Sequence, residues 1–323
     1  MTILREQLAR DGEREVKTSC LGADKEEGNL VGNNVLSLSD GIPPWRKDEL
    51  AWSFPIDLKT QKILFEVARI SEKPCNQVKW LLCNTSYELE SSTCDLNSKL
   101  LPIGPLLNTT NCKSSGNFST FLCEDTSCLS WLNEKPIASV VYVSFGSSAV
   151  FSQHQLDELA LGLELSDRPF LWVVRSNLAN GCQAEYPNGF VERVAGIGKI
   201  VEWAPQEKVL SHPSIACYLS HCGWNSILEG LSRGVPFLCW PYFADQFYNQ
   251  KYICDKWKIG LRIDVDENGI RTRHEIKMKL GMLLSNDDLK ANTAKLKKMV
   301  EESVDQEGSS FKNFRNFIDH LKE

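Results

Sequence analysis

The chain has 323 residues, of which 42% are hydrophobic and 24% charged, and its formal net charge at pH 7 is -6. This length allows about two domains, and the composition is ordinary for a globular protein that buries a core without disulfide bonds. A nucleic-acid-binding protein normally carries a basic field, so we expect no nucleic-acid partner for this acidic chain.

The cysteines and the apolar runs bear on metal binding and on location. The 12 cysteines contain no CxxC pair, and zinc sites need closely spaced ligands, so we expect no metal. Cys83, Cys217 and Cys239 lie in apolar runs, which is typical of free thiols in a reducing compartment. We find neither a signal peptide nor the roughly 18 apolar residues of a membrane span. The sequence therefore predicts a cytoplasmic protein without a membrane span.

The first third of the chain is weakly patterned. We expect residues 1–34 to be disordered, because their second half is rich in Gly, Asn, Asp and Glu. Apolar residues at helical spacing predict a helix over 57–70. Short apolar runs predict strands over 80–84 and 101–105. Small and polar residues then predict a linker over 106–127.

A strong alternation of strands and helices follows from residue 128. A mainly apolar, β-branched strand is predicted over 139–145, and an amphipathic helix over 152–165. The further predicted elements are strands over 170–174, 199–202, 215–220, 235–240 and 260–263, and helices over 128–133, 206–210, 225–233, 245–256, 272–284 and 287–304. This alternation predicts an α/β fold with a doubly wound parallel sheet.

Ligands of open α/β sheets bind at the carboxyl ends of the strands. The first such position holds Gly146, Ser147 and Ser148. Gly146 allows a tight turn, and Ser147 with the N–H groups after it suits a phosphate oxygen. A simple turn between strand and helix explains these residues equally well.

The segment 220–226, with the sequence SHCGWNS, is more specific. N–H groups at the start of the following helix, together with the His221 ring, suit a diphosphate. Glu229 lies one helical turn after Asn225, and its carboxylate can accept hydrogen bonds from ribose hydroxyls. An ordinary helix cap explains Asn225 and Ser226, and a solvated charge explains Glu229. Neither alternative explains a histidine, a glycine and a tryptophan within four positions.

Two further positions carry polar or aromatic groups after a strand. Asp245 and Gln246 present an acid beside an amide, a pair that suits sugar hydroxyls, although Asp245 is also explained as a helix cap. Trp203 offers an indole face for a planar base, and Ala204 offers backbone groups that read its edge. For Trp203, a place in the hydrophobic core is the simpler alternative.

The segment 203–246 resembles the donor-binding signature of the plant family-one UDP-glycosyltransferases; it reads WAPQEKVLSHPSIACYLSHCGWNSILEGLSRGVPFLCWPYFADQ. The stretches 145–147, 155–164 and 256–263 are also similar to this family. The resemblance extends over about residues 35–323. It implies a GT-B type fold, in which two Rossmann-like domains face each other across a cleft.

The same resemblance implies a domain organisation. It makes 128–307 a complete C-terminal UDP-sugar-binding domain and 1–105 a partly present N-terminal acceptor-binding domain. It also implies that 308–323 forms a helix packing back toward the N-terminal domain.

The resemblance further implies a role for each polar residue of the signature. Uracil would stack on Trp203 and pair with the Ala204 backbone, and the remaining contacts would come from Gln206 and Glu229 to ribose, from Ser147, His221, Asn225 and Ser226 to the diphosphate, and from Trp224, Asp245 and Gln246 to the sugar. A final Gln in the signature is associated with glucose donors, so UDP-glucose is the expected co-substrate, without a further cofactor. The resemblance implies inversion at the anomeric carbon and a small hydroxylated plant metabolite as acceptor. We also expect a monomeric protein.

One feature of the family is missing from the sequence. Family members begin with a strand and a Gly-His turn whose histidine acts as the general base, whereas the five histidines here lie at or after His154. We therefore expect a chain truncated at the N-terminus without that catalytic histidine. The alternative function is an inactive fragment that still binds a UDP-sugar.

Overall fold

The computed structural model describes residues 35–36, 39–46, 49–51, 57–107, 127–147, 149–175 and 185–322. The predictions for residues 1–34, for most of the linker over 106–127 and for Ser148 lie outside this range. Backbone contacts divide the chain into unit 1, formed by Met1–Leu107, Phe243–Lys251 and Met299–Glu323, and unit 2, formed by Asn108–Tyr242 and Tyr252–Lys298. The domain boundaries expected from the sequence stay a prediction.

The described elements follow each other along the chain. Those up to residue 107 are β1 (Val35–Leu36), β2 (Trp45–Arg46), α1 (Leu58–Gln77), β3 (Leu81–Cys83), α2 (Tyr87–Cys94) and β4 (Leu100–Pro102). Those from 127 to 233 are α3 (Ser127–Asn133), β5 (Val140–Ser144), α4 (Gln153–Leu165), β6 (Phe170–Val173), α5 (Phe190–Arg193), β7 (Gly198–Val201), α6 (Gln206–Leu210), β8 (Ile215–Ser220) and α7 (Trp224–Arg233). The remainder are β9 (Phe237–Cys239), α8 (Gln246–Lys251), a π-helical turn (Tyr252–Lys256), β10 (Gly260–Arg262), α9 (Arg273–Ser285), α10 (Asp287–Val304) and α11 (Ser309–His320).

Unit 1 contains two small sheets among its described residues. Strands β1 and β2 pair antiparallel, and β3 and β4 pair parallel. Helix α1 begins after Asp57, whose carboxylate accepts the N–H groups of Lys59 and Thr60. It continues past the predicted end at residue 70 and passes through Pro74. The predicted end at residue 70 is therefore wrong. The passage through Pro74 is unusual, because a proline inside a helix removes one backbone donor and normally disfavours the helix.

Helix α11 belongs to unit 1 and packs beside β4. The Ser310 hydroxyl donates to the Gly104 carbonyl at 2.6 Å, and Asn313 Nδ2 donates to the Pro102 carbonyl at 2.9 Å. The Phe317 ring lies edge-on to Trp80 with the centroids 5.9 Å apart. One buried hydrogen bond, one partly buried hydrogen bond and an aromatic contact thus fix the helix against the preceding part of the unit.

Unit 2 is built on a six-stranded sheet with the order β10-β9-β8-β5-β6-β7. All neighbouring strands in it are parallel. Val141, Val143 and Leu219 lie in its fully buried core, as expected for strands covered on both faces. The predicted doubly wound parallel sheet is therefore confirmed. The chain continues from β5 to one side and from β8 to the other, so the switch point lies between these two strands.

The predicted helix over 245–256 is only partly correct. Helix α8 ends at Lys251, and the chain continues as the π-helical turn. The Trp257 N–H donates to the Tyr252 carbonyl at 2.7 Å, which is the wider spacing of a π-helix. Apolar periodicity cannot distinguish such a turn from an α-helix, because both place similar residues on one face.

Within the residues that the structure describes, no helix has the length and apolar character needed to cross a membrane.

Candidate functional site

The switch point of the unit 2 sheet places two loops side by side. Ser144 and Ser220, the last residues of β5 and β8, are register partners. Gly146 and Ser147 follow the first strand, and His221 follows the second. Because ligands of doubly wound sheets bind where the strand order reverses, these loops form the floor of the candidate site.

The His221 ring lies over two glycines. A Cβ atom on Gly146 would lie 2.8 Å from His221 Nε2, and a Cβ atom on Gly223 would lie 2.4 Å from it. Gly146 also has a φ of 67°, which other residues rarely adopt. These glycines leave room for the imidazole. The adjacent strand ends bring the exposed Ser147 and the half-buried His221 to one loop cluster.

Helix α7 begins without a side-chain cap. Gly223 is its N-cap residue, Trp224 is its first residue, and Asn225 and Ser226 follow inside the first turn. The alternative that Asn225 and Ser226 are ordinary caps is therefore wrong. The Trp224 ring lies 6.3 Å from Trp257, centroid to centroid. Because the helix begins directly after Gly223, the amino end of its dipole points toward the loop that carries His221.

Gln206, the first residue of α6, connects four polar side chains. Its Oε1 accepts hydrogen bonds from Tyr142 Oη at 3.0 Å and from Tyr218 Oη at 3.1 Å. Its Nε2 donates to Ser226 Oγ at 3.2 Å and to Glu229 Oε2 at 2.5 Å. The site therefore contains a hydrogen-bonded network that joins α6, α7 and the two central strands.

The ionisation of this network is shifted by burial. Burial raises the pKa of the Glu229 carboxyl, and the hydrogen bond from Gln206 partly opposes that rise. Burial also raises the pKa of Tyr218 to about 12 and that of Tyr142 well above its usual range. The tyrosines therefore stay protonated donors at neutral pH. The alternative that Glu229 is a solvated surface charge is wrong, because the network partly encloses it.

Trp203 and Ala204 follow β7 and lead into α6. Trp203 is half-buried, whereas Ala204 is only 7% exposed. A fully buried core position for Trp203, the simpler alternative, is therefore wrong. A half-exposed indole next to a backbone segment that leads to Gln206 can present a flat face to a ligand.

Asp245 and Gln246 belong to unit 1, whereas the other nine predicted site residues belong to unit 2. Gln246 is buried, and its Oε1 accepts the Phe243 N–H at 2.9 Å. Asp245 directly precedes α8, and its Oδ2 accepts a hydrogen bond from Asn249 Nδ2 at 2.8 Å. Both side chains thus take part in holding the loop that leads into α8.

The family model described as UDP-glucoronosyl and UDP-glucosyl transferase matches residues 96–304. The chain belongs to this family. UDP-glycosyltransferase 83A1 of Arabidopsis thaliana is 39% identical over 303 residues, which cover 93% of this chain and 63% of that protein. The limonoid UDP-glucosyltransferase of Citrus unshiu is 38% identical over 75% of this chain and 49% of its own length. The chain thus spans about half to two thirds of the length of these relatives.

Solved structures of the UDP-glycosyltransferase family are similar in fold. Phytolacca americana UGT2, solved with UDP-2fluoro-glucose and pterostilbene, superposes with a TM-score of 0.80 at 27% identity, covering 100% of this chain and 69% of that one. Os79 from O. sativa, in complex with UDP, superposes with a TM-score of 0.72 at 30% identity over 81% of this chain and 61% of that one. These structures show that the chain has the GT-B type α/β fold, with its N-terminal Rossmann-like domain only partly present.

Two residues that belong to the site were missed by the sequence-based prediction. Tyr142 and Tyr218 were placed in strands and given no part in the site, yet both donate to Gln206. A signal was present, because the last three residues of each strand read Tyr-x-Ser. Parallel neighbours whose ends coincide bring equivalent positions together.

Within the described residues there is no group of three or more His, Cys, Asp or Glu side chains that could hold a metal ion.

Proposed function

We propose that this chain binds a UDP-sugar, with UDP-glucose as the preferred donor, and that its function is transfer of glucose to a hydroxyl of a small plant metabolite with inversion. The observation that carries this proposal is the cluster of Gln206, Ser226 and Glu229 beside the switch point. It places a carboxylate near an amino-terminal helix end, and these two groups suit a ribose and a diphosphate respectively.

The nucleoside would be held by the loop after β7 and by the network. Uracil would stack on the half-exposed Trp203 and pair with the Ala204 backbone. The ribose hydroxyls would donate to Glu229, within the network that contains Gln206. A carboxylate accepts hydrogen bonds and donates none, so it selects a sugar with hydroxyl donors.

The diphosphate would lie at the switch point. Ser147, His221, Asn225 and Ser226 would contact its oxygens, and the amino end of the α7 dipole would favour its negative charge. During transfer, the acceptor oxygen attacks the anomeric carbon while the bond from that carbon to the diphosphate oxygen breaks. The charge that develops on the leaving UDP would be stabilised by His221 and by the helix N–H groups.

The transferred sugar would be contacted by Trp224, Asp245 and Gln246. An acid next to an amide offers both acceptors and donors to sugar hydroxyls, and the final Gln is the residue that the family resemblance associates with glucose. The proton of the acceptor hydroxyl must pass to a base, and none of these eleven residues is assigned that role.

The names of relatives support a small hydroxylated acceptor. One relative is called limonoid UDP-glucosyltransferase, another is called mogroside I-E synthase, and Phytolacca americana UGT2 was solved with pterostilbene. The relatives give no support to the alternative of an inactive binding fragment. The predicted cytoplasmic location and monomeric state stay predictions.

Calorimetric titration with UDP and UDP-glucose tests donor binding. We expect the parent chain to bind both, and the Trp203→Ala variant to lose about 5- to 150-fold in affinity, because base stacking is worth about 1–3 kcal/mol. Trp131→Ala is the matched control, since Trp131 lies on α3 and contacts Lys135. Equal affinity of Trp203→Ala and parent would contradict the proposed uracil contact.

Product formation from UDP-glucose and a panel of phenolics and terpenoid alcohols tests transfer. We expect a glucoside of inverted anomeric configuration, and we expect Gln246→His to raise the use of UDP-galactose relative to UDP-glucose. Donor binding without any product would instead favour the inactive-fragment alternative. An unchanged donor ratio in the variant would contradict the role of Gln246.

A further inference from the structure

We propose that Trp257 is a positioning residue for the donor sugar, because its ring holds Trp224 at the start of α7. Trp224 is the residue of α7 that would contact the transferred sugar. The inference rests on the proposed binding of a UDP-sugar and deepens it, since it names the side chain that supports one of the proposed sugar contacts.

Three aromatic side chains of unit 2 form a continuous row that ends at the candidate site. The Tyr252 ring lies edge-on to Trp257 with the centroids 5.2 Å apart, and the Trp257 ring lies 6.3 Å from that of Trp224. Tyr252 is fully buried and Trp257 is 7% exposed, whereas Trp224 is half-buried. Aromatic pairs at these distances attract each other beyond the area that they bury. The row therefore connects the buried interior to the ring that is accessible at the site.

The backbone after α8 is unusual, and it determines where Trp257 lies. The Trp257 N–H donates to the Tyr252 carbonyl at 2.7 Å, and the Ile259 N–H donates to the Ile253 carbonyl at 2.9 Å. Between these two donors Lys258 has a φ of 54°, which is unfavourable for a residue other than glycine. Turns of the π type are rare and are frequently found at functional sites. Unfavourable backbone of this kind persists where the surrounding contacts hold it.

Trp224 gains from support outside its own helix. Side chains of a helix lean toward its amino end, so the ring of Trp224, the first residue of α7, extends beyond the helix. Gly223, which precedes it, has no side chain to pack against this ring. Trp257 supplies a contact from a different element. Without the Trp257 ring, Trp224 would occupy more orientations, so the sugar contact would weaken while the proposed uracil contact would remain.

The experiment compares UDP with UDP-glucose in variants of Trp257. Trp257→Leu and Trp257→Met each replace the indole by an apolar side chain without a ring, so one of them suffices if the other does not fold. Trp257→Phe keeps a ring. Calorimetric titration of both nucleotides gives the ratio of the UDP-glucose affinity to the UDP affinity, from which a loss common to both cancels. We expect this ratio to fall about two- to twelvefold without the ring, as for one aromatic contact, and Trp257→Phe to restore most of it.

The controls distinguish positioning from loss of structure. Trp131→Leu removes a half-buried indole on α3 and should leave the ratio unchanged. In a Trp224→Leu background, Trp257→Leu should change the ratio little further, because its effect passes through Trp224.

Two outcomes would overturn the inference while the parent chain binds both nucleotides. One is an equal loss of affinity for UDP and UDP-glucose in the variants without the ring, which indicates a purely structural role. The other is additive losses of the ratio in the double variant. A parent chain that binds neither nucleotide would overturn the proposed function, and the inference with it.

Discussion

At the residue scale, Glu229 is subject to two opposing effects. Burial disfavours its ionised form, and the hydrogen bond from Gln206 favours it, with burial the larger effect. Its proposed role requires the ionised form, because only the carboxylate accepts hydrogen bonds from both ribose hydroxyls. Function and stability therefore make different demands on one side chain.

Donor binding is expected to weaken on mild acidification. The raised pKa means that Glu229 takes up its proton at a higher pH than an ordinary glutamate, so affinity falls as the pH drops through that value. Calorimetric titration with UDP-glucose over a pH series measures this; UDP-glucose is preferred to UDP because it has no terminal phosphate. Glu229→Gln should bind more weakly than the parent at neutral pH and lose this pH dependence. A variant that retains it would contradict the assignment.

The same substitution is expected to stabilise the fold at neutral pH. A carboxyl pKa that is raised in the folded protein means that the folded state binds the proton more tightly than the unfolded chain, so ionised Glu229 costs stability. That cost is present above the raised pKa and disappears as the pH falls below it. Thermal unfolding should therefore give Glu229→Gln a higher Tm than the parent at pH 8 but not in acid. Glu202→Gln, at an exposed position, should match the parent at both pH values.

The glycine at the start of α7 provides a third residue-scale prediction. Gly223 has a φ of -65°, so alanine is acceptable to its backbone, and the obstacle is the His221 ring at 2.4 Å from a Cβ atom. Gly223→Ala should displace the ring and weaken UDP binding about tenfold or more. In a His221→Ala background the same change should have little further effect. Additive losses in this double-mutant cycle would contradict the explanation.

At the element scale, α11 is held by several contacts, one of which is a fully buried hydrogen bond. Ser310 is 1% exposed and donates to the Gly104 carbonyl. Ser310→Ala should lower the free energy of unfolding by about 1–3 kcal/mol, because the carbonyl loses a buried donor. Ser309→Ala, which removes a hydrogen bond to Glu88, is the control and should cost less, since that bond is only partly buried. Denaturant unfolding measures both, and equal effects would contradict the expectation.

The elements also show how far periodicity carries a prediction. The strand over 215–220 and the helices over 206–210 and 287–304 were predicted with the bounds that the structure has, because strong apolar patterns and clear breaks delimit them. The passage of α1 through Pro74 and the π-helical turn were not predictable. Both depend on which backbone hydrogen bonds form in the folded protein, and a local sequence pattern does not contain that information. The family resemblance placed Gln206 and Glu229 in one site. It did not indicate Tyr142 and Tyr218, because their contact with Gln206 depends on how β5 and β8 pair in the sheet.

At the scale of the whole molecule, the candidate site is unevenly distributed. Unit 2 contains nine of the eleven predicted site residues, and unit 1 contains Asp245 and Gln246. UDP without a sugar should therefore protect mainly unit 2. We expect hydrogen exchange with saturating UDP to slow at α7 and at the loop 221–223, whereas α1 exchanges at its original rate. The His221→Ala variant, with weaker binding, serves as control. Equal protection of α1 and α7 would contradict this expectation.

The short segment Phe243–Lys251 has a consequence for protein engineering. Tyr248 stacks on Trp45 with the centroids 4.2 Å apart, and Lys251 pairs with Glu49 at 2.6 Å, although the chain on either side of the segment belongs to unit 2. A chimera made with one crossover near residue 107 would combine this segment with foreign partners. Exchanging the donor half between family members therefore calls for co-grafting residues 43–49, so that the segment keeps the aromatic ring and the carboxylate to which it is fitted.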